Sequence, residues 1–480
     1  MSGRRRILLV GAGYTARLVA EEFVRHQRGE ELLAALDDDP SLQGRHVGPV
    51  VVAGPVSMLE TVARSYAVDE VVVAIPSLPG PRLRDVTIAA RRLGLPVRTM
   101  PGIVELLGRP ITPRQLRPVE LGDLLRRTEV RCDDPPPAYL HGQRVLITGG
   151  GGSIGRELAR QVCRAAPERL VILGHGENSI HAAHAELVMD DAGTPVVPVI
   201  ADVTDRRTLA RAFAEHAPTV VFHAAAHKHV PLMEQFPGEA VRNNVVGTRH
   251  VLACAEAHGV SRLLFVSTDK AVAPASVMGA TKRVCEWMVR DAAARTGHRY
   301  VAVRFGNVLG SRGSVVPVLE TQIRRGGPVT LTHPAMSRYF MTIPEAVYLV
   351  LQAGGVDDGG GLYVLDMGTP VRLVDLAADL IQLAGAGEVP IVFTGLRPGE
   401  KLTEALWEPD SVVEPTGRGD LLRVTEAAPA PGGADLGRVV HGLVAASRRG
   451  DAEAIHQRLG EAIPTFASSR LASPAGVTRA

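Results

Sequence analysis

A pattern of apolar strand, glycine turn and helix occurs twice in this chain of 480 residues and constrains its fold more strongly than any other feature. The first copy is RILLVGAGYTARLVAEEF, with the spacing G-x-G-x-x-A from Gly11. The second is QRVLITGGGGSIGRELARQV, with the spacing G-x-x-G-x-x-G from Gly149. Glycines let the backbone of such a turn approach a pyrophosphate, and the helix that follows points its first N–H groups at the anion. Each copy therefore predicts the opening of a dinucleotide-type domain.

Further strands follow each glycine turn. After the first turn, LLAALDDDP places Asp37 and Asp38 at a strand end, and VDEVVVAIPS predicts another strand. After the second, VVPVIADVTD predicts a strand that ends at Asp202, TVVFHAAA predicts one that ends at Ala224–Ala226, and RLLFVSTDK predicts one more. Such alternation is typical of a doubly wound sheet. The predicted fold class is α/β, with two Rossmann-like parallel-sheet domains, the second carrying a small substrate-binding C-terminal lobe.

The domain boundaries are predicted from changes in composition. The stretch RCDDPPPAYLHGQ has three consecutive prolines with charged flanks, as linkers often do. We therefore expect an N-terminal Rossmann-like domain over residues 1–125, a linker over 126–143 and a catalytic domain over 144–410. Residues 411–480 are expected to form a partly flexible C-terminal extension, with one helical stretch over 436–459.

Composition and charge exclude several classes of protein. The net charge is +2 and the basic residues form no stripe, so no nucleic-acid partner is expected. No apolar run is long enough to span a bilayer, so no membrane span is expected either. The four cysteines show no C-x-x-C pairing, which fits a reducing compartment. The sequence therefore predicts a cytoplasmic protein.

A series of motifs in the second half resembles one enzyme family. The stretches are LITGGGGSIGRELARQ, AAAHKHVPLMEQFP, NNVVGT, STDKAVAPASVMGATKR, RFGNVLGSRGSVVP, GGPVTLTHPAMSRYFMTIPEA, LDMG and GLRPGEKL. In this order they resemble nucleotide-sugar 4,6-dehydratases of the extended short-chain dehydrogenase/reductase superfamily, of the long polysaccharide-biosynthesis type that acts on UDP-N-acetylglucosamine. The resemblance implies a UDP-sugar substrate, NAD as cofactor with NADP as the alternative, and a homo-oligomer.

The resemblance also implies a mechanism and its catalytic residues. Such enzymes oxidise C4 of the sugar, eliminate water across C5 and C6, and return the hydride to C6. Asp269 is then the acid and Lys270 the base, and we expect burial and nearby positive charge to favour the neutral amine of Lys270. Thr268 is expected to hydrogen-bond the C4 oxygen, and Lys282 to hold the nicotinamide ribose. Met278 and Lys282 stand four residues apart, so they share one helix face toward the cofactor.

The remaining site residues are assigned by matching positions in the same motifs. Arg338, Arg397 and Glu400 are expected to hold the diphosphate and the uridine ribose, since a guanidinium binds phosphate in bidentate fashion. His229 and Asn307 are expected to contact the substrate. The predicted cofactor-binding residues are Gly149, Gly152, Ser153, Ile154, Gly155, Glu177, Asp202, Val203, Ala224, Ala225 and Lys282.

Two positions depart from the family pattern. Gly174 stands where an acidic residue often ends the second strand, and Glu177 could reach the adenosine ribose in its place. His227 replaces the usual tyrosine of the KHVP stretch. Met278 follows the pattern of the family's long members, which show MGATK where other relatives have a proton-carrying tyrosine. We expect an active enzyme nonetheless, in which the first proton goes to Asp269 or through a water relayed by Thr268.

Alternatives remain open at the level of sequence. A 4- or 5-epimerase and a 5,6-dehydratase share the first oxidation step, and a non-catalytic NAD(P)-binding protein would share only the fold. His223, His227 and His229 alternate at a strand end without a cysteine or carboxylate partner at ligand spacing, so we expect no metal site. For the N-terminal domain, nucleotide binding and a structural or oligomerising role are both compatible with the glycine turn.

Overall fold

The computed structural model covers the chain as two compact units. The first unit comprises Met1–Cys132 and Gln382–Gly385, and the second comprises Asp133–Ile381 and Ala386–Ala480. Much of the predicted linker and the end of the predicted C-terminal extension lie outside the residues that the structure describes. The described residues are 4–26, 29–101, 115–124, 137–190, 193–356, 359–418, 420–427 and 430–466.

The first unit is built on a seven-stranded sheet. Its strands are Arg5–Val10 (β1), Glu30–Leu36 (β2), His46–Val47 (β3), Val50–Gly54 (β4), Glu70–Val73 (β5), Val97–Thr99 (β6) and Arg117–Pro118 (β7), in the order β3–β4–β2–β1–β5–β6–β7. The inner five strands are parallel, whereas β3 and β7 pair antiparallel at the edges. Ile7–Val10 is fully buried, as expected for a parallel sheet covered on both faces. Its helices are Tyr14–His26, Val56–Met58 (3₁₀), Leu59–Ser65, Gly80–Arg92 and Leu121–Leu124.

The second unit contains a nine-stranded sheet and three short strand pairs. Its strands are Arg144–Thr148 (β8), Arg169–Gly174 (β9), Val196–Ile200 (β10), Val220–His223 (β11), Arg262–Val266 (β12), Arg299–Arg304 (β13), Asn307–Val308 (β14), Val329–Leu331 (β15), Ser337–Arg338 (β16), Phe340–Met341 (β17), Leu362–Leu365 (β18), Val371–Arg372 (β19), Ile391–Phe393 (β20), Val412–Pro415 (β21) and Leu421–Thr425 (β22). The sheet order is β10–β9–β8–β11–β12–β13–β18–β22–β21, and the short pairs are β14–β17, β15–β20 and β16–β19.

Helices cover this second sheet and provide the elements of the site. They are Ala138–Leu140 (3₁₀), Ser153–Cys163, Glu177–Met189, Arg206–His216, Val230–Gln235, Pro237–Ala240, Val241–Val246 (π), Gly247–Ala257, Asp269–Ala271 (3₁₀), Val277–Thr296, Val315–Arg324, Ile343–Gly354, Leu373–Leu383, Gly433–Arg448 and Ala452–Ala462. The chain places β9 and β10 on one side of β8 and β11 to β13 on the other. In open α/β sheets, ligands bind at the carboxyl ends of the strands where the order reverses, here between β8 and β11.

The predicted class, α/β with parallel-strand sheets, is confirmed, and two local predictions need adjustment. The strand expected to reach Asp202 ends at Ile200. The helical stretch expected over 436–459 is two helices, Gly433–Arg448 and Ala452–Ala462. The break falls at Gly450, whose φ of +69° ends the first helix, and Asp451 begins the second by accepting a 2.9 Å hydrogen bond from the N–H of Ala454.

A buried ion network lies behind β12 and β13. Arg304 is fully buried and donates to Glu286 at 2.6 and 2.7 Å and to Glu426 at 2.8 Å. Glu426 also pairs with Arg283, and Glu286 accepts a 2.6 Å hydrogen bond from the hydroxyl of Ser267. Burial opposes ionisation, but Arg304 and Arg283 hold the pKa of Glu426 below its usual value. The network therefore joins the end of β12 to the segment that follows β22.

Candidate active site

The second glycine turn borders a cavity of about 630 Å³ in the second unit. Gly149 has φ of +73°, and a Cβ placed on it would lie 2.8 Å from the backbone nitrogen of Ala225. A Cβ on Gly155 would lie 2.2 Å from the carbonyl oxygen of Gly149. The turn is therefore closed tightly on itself and against the end of β11, and the helix Ser153–Cys163 begins directly beside it. These positions admit only glycine, which leaves the backbone exposed to an anion.

Most of the predicted dinucleotide-binding residues lie on this cavity. The lining includes Gly149, Gly152, Ser153, Ile154, Gly155, Ala224 and Lys282. Four predicted residues do not line it: Glu177, Asp202, Val203 and Ala225. Glu177 is exposed in the first turn of the helix after β9. The backbone turn, the helix N-terminus and the cavity together fit a bound dinucleotide.

The Thr268-Asp269-Lys270 triplet lies directly beyond β12, at the carboxyl edge of the sheet. Asp269 is fully buried, and one of its oxygens accepts hydrogen bonds from the Thr268 hydroxyl at 2.8 Å and from Nζ of Lys270 at 2.9 Å. Nζ of Lys270 also donates to the side-chain oxygen of Asn307 at 3.1 Å. Thr268, Lys270 and Asn307 line the cavity, whereas Asp269 does not. Asp269 is therefore in contact with the cavity only through its two neighbours.

The helix Val277–Thr296 presents Met278 and Lys282 to the same cavity, as predicted from their spacing. Ser276 starts this helix by accepting a hydrogen bond from the N–H of Gly279. The Lys282 ammonium donates to the carbonyl of Val266 at 2.5 Å and lies 3.9 Å from the ring centre of Phe265. Burial lowers the pKa of Lys282 to about 8.

The predicted substrate residues fall into two groups. Asn307 and His229 line the cavity, and a Cβ on Gly313 would lie 2.6 Å from the ring of His229. Arg338, Arg397 and Glu400 do not line it. Arg338 is buried and donates to the carbonyls of Ser337 and Leu402 at 2.7 and 3.0 Å.

Arg397 and Glu400 are brought together within the GLRPGEKL loop. The carboxylate of Glu400 accepts a 3.1 Å hydrogen bond from the backbone N–H of Arg397, and Arg397 is exposed. The Glu400 carboxylate therefore helps to fix the conformation of the loop. That conformation in turn determines where the Arg397 guanidinium lies. The roles predicted for these two residues in binding the substrate stay predictions.

Three charged residues that the sequence analysis did not assign belong to the site. Lys228 lines the cavity and donates to Ser311 at 3.3 Å. Arg312 also lines it, and its guanidinium donates to the carbonyl of Gly151 in the glycine turn. Glu404 is buried close to the Asp269–Lys270 pair, whose charges act on its pKa. Lys228 and Arg312 stand in the motifs KHVP and GSRGS, which were already recognised, so their positive charge could have identified them from the sequence. Nothing in the sequence identifies Glu404, because its burial depends on packing between distant segments.

The histidines near β11 have separate roles. His223 is buried between two threonine hydroxyls, with its Nδ1 2.7 Å from Thr148 and its Nε2 3.0 Å from Thr248. Burial lowers the pKa of His223 to about 3, so the ring is neutral at any physiological pH. His227 and His229 line the cavity instead. His223 is thus a packing residue, and the other two are available to a ligand.

This chain is similar to known proteins over most of its length. Residues 145–426 match the family described as "Polysaccharide biosynthesis protein". The chain is 45% identical over 411 residues to the capsular polysaccharide biosynthesis protein CapD of Staphylococcus aureus, covering 84% of this chain and 68% of that one. It is 44% identical over 414 residues to the probable polysaccharide biosynthesis protein EpsC of Bacillus subtilis, covering 85% and 69%.

One of the solved structures resembles this chain in both fold and sequence. The X-ray structure of Pen from Bacillus thuringiensis is 31% identical with a TM-score of 0.56, covering 60% of this chain and 91% of that one. Within the described residues, the structure contains no helix that is long and apolar enough to cross a membrane. The chain therefore belongs to the polysaccharide biosynthesis protein family, among the nucleotide-sugar dehydratases and epimerases of the extended short-chain dehydrogenase/reductase superfamily.

Proposed function

We propose that this protein is an NAD-dependent 4,6-dehydratase that converts UDP-N-acetylglucosamine to its 4-keto-6-deoxy derivative. The observation that carries the proposal is the triplet Thr268-Asp269-Lys270 on the cavity beside the glycine turn, with Met278 facing the same space. An epimerase that only oxidises and reduces C4 needs no acid and base for C5 and C6. The paired carboxyl and amine therefore favour elimination of water over epimerisation.

A bound NAD would supply the redox chemistry, which is the removal of a hydride from C4 of the sugar and its return to C6. The residues that would hold NAD are those of the glycine turn, which present backbone N–H groups and no side chains, together with Lys282 near the nicotinamide ribose. NAD is proposed over NADP because Glu177 offers a carboxylate beyond β9, where a 2′-hydroxyl would be accepted and a 2′-phosphate repelled. Denaturing the purified protein and identifying the released dinucleotide tests this choice, and NADP in most molecules would contradict it.

The protons move through the triplet beyond β12. The Thr268 hydroxyl lies between the cavity and Asp269, so it can pass the proton of the C4 hydroxyl to the buried carboxylate. The Lys270 amine reaches the cavity and takes the C5 proton, which oxidation at C4 has made acidic. Asp269 then returns its proton through Thr268 to the departing C6 oxygen, and Lys270 gives its proton back to C5 as C6 receives the hydride, so both groups end in their starting states. Asn307 fixes the position of the Lys270 amine by accepting a hydrogen bond from it.

Met278 cannot carry a proton, and it has another use at this position. Its side chain is 3% exposed and lines the cavity on the same helix face as Lys282. The thioether packs apolar bulk where the reacting groups meet, and it keeps water away from them. Where other relatives have a tyrosine, this chain therefore has a group that shields the site while the triplet transfers the protons.

The sugar nucleotide is proposed to lie between the triplet and the GLRPGEKL loop. Arg338 and Arg397 would bind its diphosphate, Glu400 its uridine ribose, and His229 and Asn307 its sugar. The protein is further proposed to act as a homo-oligomer in the cytoplasm. Size-exclusion chromatography with light scattering tests the oligomer, and a monomeric mass at working concentration would contradict it.

One incubation tests the reaction. Purified protein is mixed with UDP-N-acetylglucosamine, and the product is analysed by mass spectrometry before and after borohydride reduction. The proposal requires loss of one water and a ketone that borohydride reduces. Loss of water without a ketone indicates a 5,6-dehydratase, an unchanged mass with altered chromatography indicates an epimerase, and unchanged substrate contradicts any catalytic role on this sugar nucleotide.

A further inference from the structure

The acid and base of the site share their surroundings with a second buried carboxyl group, Glu404. It is 5% exposed, and the atom Oε2 is buried without a hydrogen-bond partner. The other oxygen of Asp269, Oδ2, is buried without a partner in the same way. Two acceptor oxygens are thus enclosed in one part of the protein without a donor, although a buried carboxylate ordinarily accepts several hydrogen bonds.

The segment that carries Glu404 is held against the catalytic elements at several points. Ser337 donates its N–H to the carbonyl of Leu402 at 2.9 Å, and the Ser337 and Thr403 hydroxyls lie 3.0 Å apart. The Lys401 ammonium donates to the carbonyl of Val272 at 2.8 Å, directly after the helical turn that contains Asp269 and Lys270. Glu404 is therefore fixed beside the triplet by the backbone of two other segments.

The charged groups around Glu404 come from three elements. Lys401 is on its own segment with its ammonium 3.7 Å from Oε2, which is too long for a hydrogen bond. Arg338 approaches from β16, and Asp269 and Lys270 approach from the turn after β12. Burial raises the pKa of Glu404 and Asp269 adds to the rise, whereas Lys270, Arg338 and Lys401 oppose it. The net effect raises the pKa of Glu404, so this carboxyl group keeps its proton to a higher pH than a free one does.

From this arrangement we propose that Glu404 is a positioning residue that works as a neutral carboxylic acid and supplies the hydrogen-bond donor that the buried Asp269 carboxylate lacks. The inference rests on the proposed function for its catalytic meaning, but not for its protonation state. A carboxylic acid carries one O–H donor, and an ionised carboxylate carries none. With Oδ2 of Asp269 satisfied in this way, Oδ1 stays directed toward Thr268 and Lys270.

Three variants test whether Glu404 acts as a neutral hydrogen-bond donor, as a charged group or only by filling space. Glu404→Gln keeps the size, the neutrality and an N–H donor, and it is expected to retain kcat within about threefold of the wild type. Glu404→Leu keeps neutrality without a donor, and we expect a loss of about tenfold or more in kcat. Glu414→Gln, on the exposed strand β21, is the matched control and is expected to leave kcat unchanged. Equal losses in the glutamine and leucine variants would overturn the proposal, because they would show that the ionised form is required.

The protonation state is tested without any substrate. A carboxyl whose pKa is raised by folding holds its proton longer in the folded protein, so folding stability falls as pH rises from the ordinary value of 4.5 toward the raised one. As pH rises over this range, the unfolding equilibrium constant of the wild type is therefore expected to increase relative to that of Glu404→Gln, by at most about tenfold per pH unit.

The control for this measurement is again Glu414→Gln, which replaces an exposed carboxylate and is expected to follow the wild type. A difference between wild type and Glu404→Gln that stays constant with pH would overturn the proposal, whatever reaction the enzyme catalyses. If that difference changes as expected but UDP-N-acetylglucosamine is not dehydrated, the proposed function fails and the assignment of Glu404 stands.

Discussion

The two glycine turns of this chain follow strands of similar sequence, yet their polar groups are used differently. In the first unit, the N–H of Ala12 donates to the carboxylate of Asp37 at 2.7 Å, and the other oxygen of that carboxylate accepts from the N–H of Asp39. In the second unit, Gly174 stands at the matching strand end and offers no carboxylate. The first turn therefore has a backbone N–H bound by a strand-end carboxylate, whereas the second turn has no carboxylate at that position and borders a cavity.

The third position of each motif shows the same contrast in packing. Ala16 is fully buried in the first unit, so a Cβ is accommodated there. At Gly155 of the second unit, a Cβ would collide with the carbonyl oxygen of Gly149. The second turn is the tighter of the two, and a tight turn brings the helix N-terminus closer to a bound anion. A glycine motif of this kind determines the local fold. Whether the turn binds a ligand and supports a reaction depends on the side chains at the neighbouring strand ends.

The largest effect is expected from Asp269→Asn and Lys270→Met in the second unit. Each removes one of the groups proposed to move a proton, so turnover should fall by about 10²–10⁴, while the bound cofactor is retained. For Asp269→Asn we also expect no absorbance of reduced nicotinamide on mixing with substrate, since the first proton has no acceptor. Product formation and the absorbance change are measured by mass spectrometry and stopped-flow spectroscopy.

The matched control is Asp37→Asn, the same substitution at the strand end of the first unit. It should leave turnover unchanged, because Asp37 serves the backbone of its own turn. Turnover like that of the wild type in Asp269→Asn would remove this residue from the mechanism. A comparable loss in Asp37→Asn would break the contrast between the two units.

A smaller effect is expected when the residue at the third position of each glycine motif is replaced by the residue found in the other motif. Gly155→Ala pushes the glycine turn of the second unit out of shape, because the new Cβ meets backbone that cannot move away. The protein should lose its bound dinucleotide on purification and unfold at lower temperature. Ala16→Gly in the first unit should cost only about 0.5–1 kcal/mol of stability and leave the dinucleotide bound. Absorbance of the released cofactor and thermal unfolding are the measurements, and retention in Gly155→Ala would show that the turn is less tight than the structure indicates.

The buried ammonium of Lys282 makes cofactor binding sensitive to alkaline pH. Because burial lowers the pKa of Lys282 to about 8, the side chain is charged below that pH and neutral above it. A charged donor binds a ribose hydroxyl roughly twice as strongly as a neutral one. The wild type should therefore bind NAD more tightly than Lys282→Met at pH 7, and the advantage should shrink above pH 8. Fluorescence titration of NAD at several pH values checks this, and an advantage that stays constant would contradict it.

The smallest effect is expected from Met278→Leu. The two side chains have similar volumes and neither carries a proton, so most of the activity should remain. Steady-state turnover is the measurement. A dead leucine variant that still folds and binds cofactor would show that the sulfur itself takes part, and the proton route through Thr268 would have to be revised.

The fold and the position of the triplet could be predicted because both depend on local patterns. Apolar runs followed by glycine turns determined β1 and β8, and the motif STDK placed Asp269 and Lys270 beyond a parallel strand. The division of the last helical stretch was missed, although Gly450 and Asp451 supply a helix stop and an N-cap.

What the sequence could not predict depends on contacts between distant segments. The burial of Asp269 behind Thr268 follows from its own contacts with Phe305 and Gly306, which come directly after β13. Glu404 is enclosed because its segment is hydrogen-bonded to β16. From the sequence, a carboxylate in a polar loop is expected to be solvated. Its neighbours in the sequence do not reveal that it will be buried with an oxygen that accepts no hydrogen bond.

The ion network behind β12 sets how far a shortened version of this enzyme can be trimmed. Glu426 supplies part of the negative charge that faces Arg304 and Arg283, and the family match ends at the same residue. A fragment that stops at residue 410 would keep every proposed catalytic side chain and lose this counter-charge. Breaking a buried pair of this kind costs about 3–5 kcal/mol, a large part of the stability of a typical domain. The smallest active fragment should therefore include β22 and Glu426, although neither comes near a reacting atom.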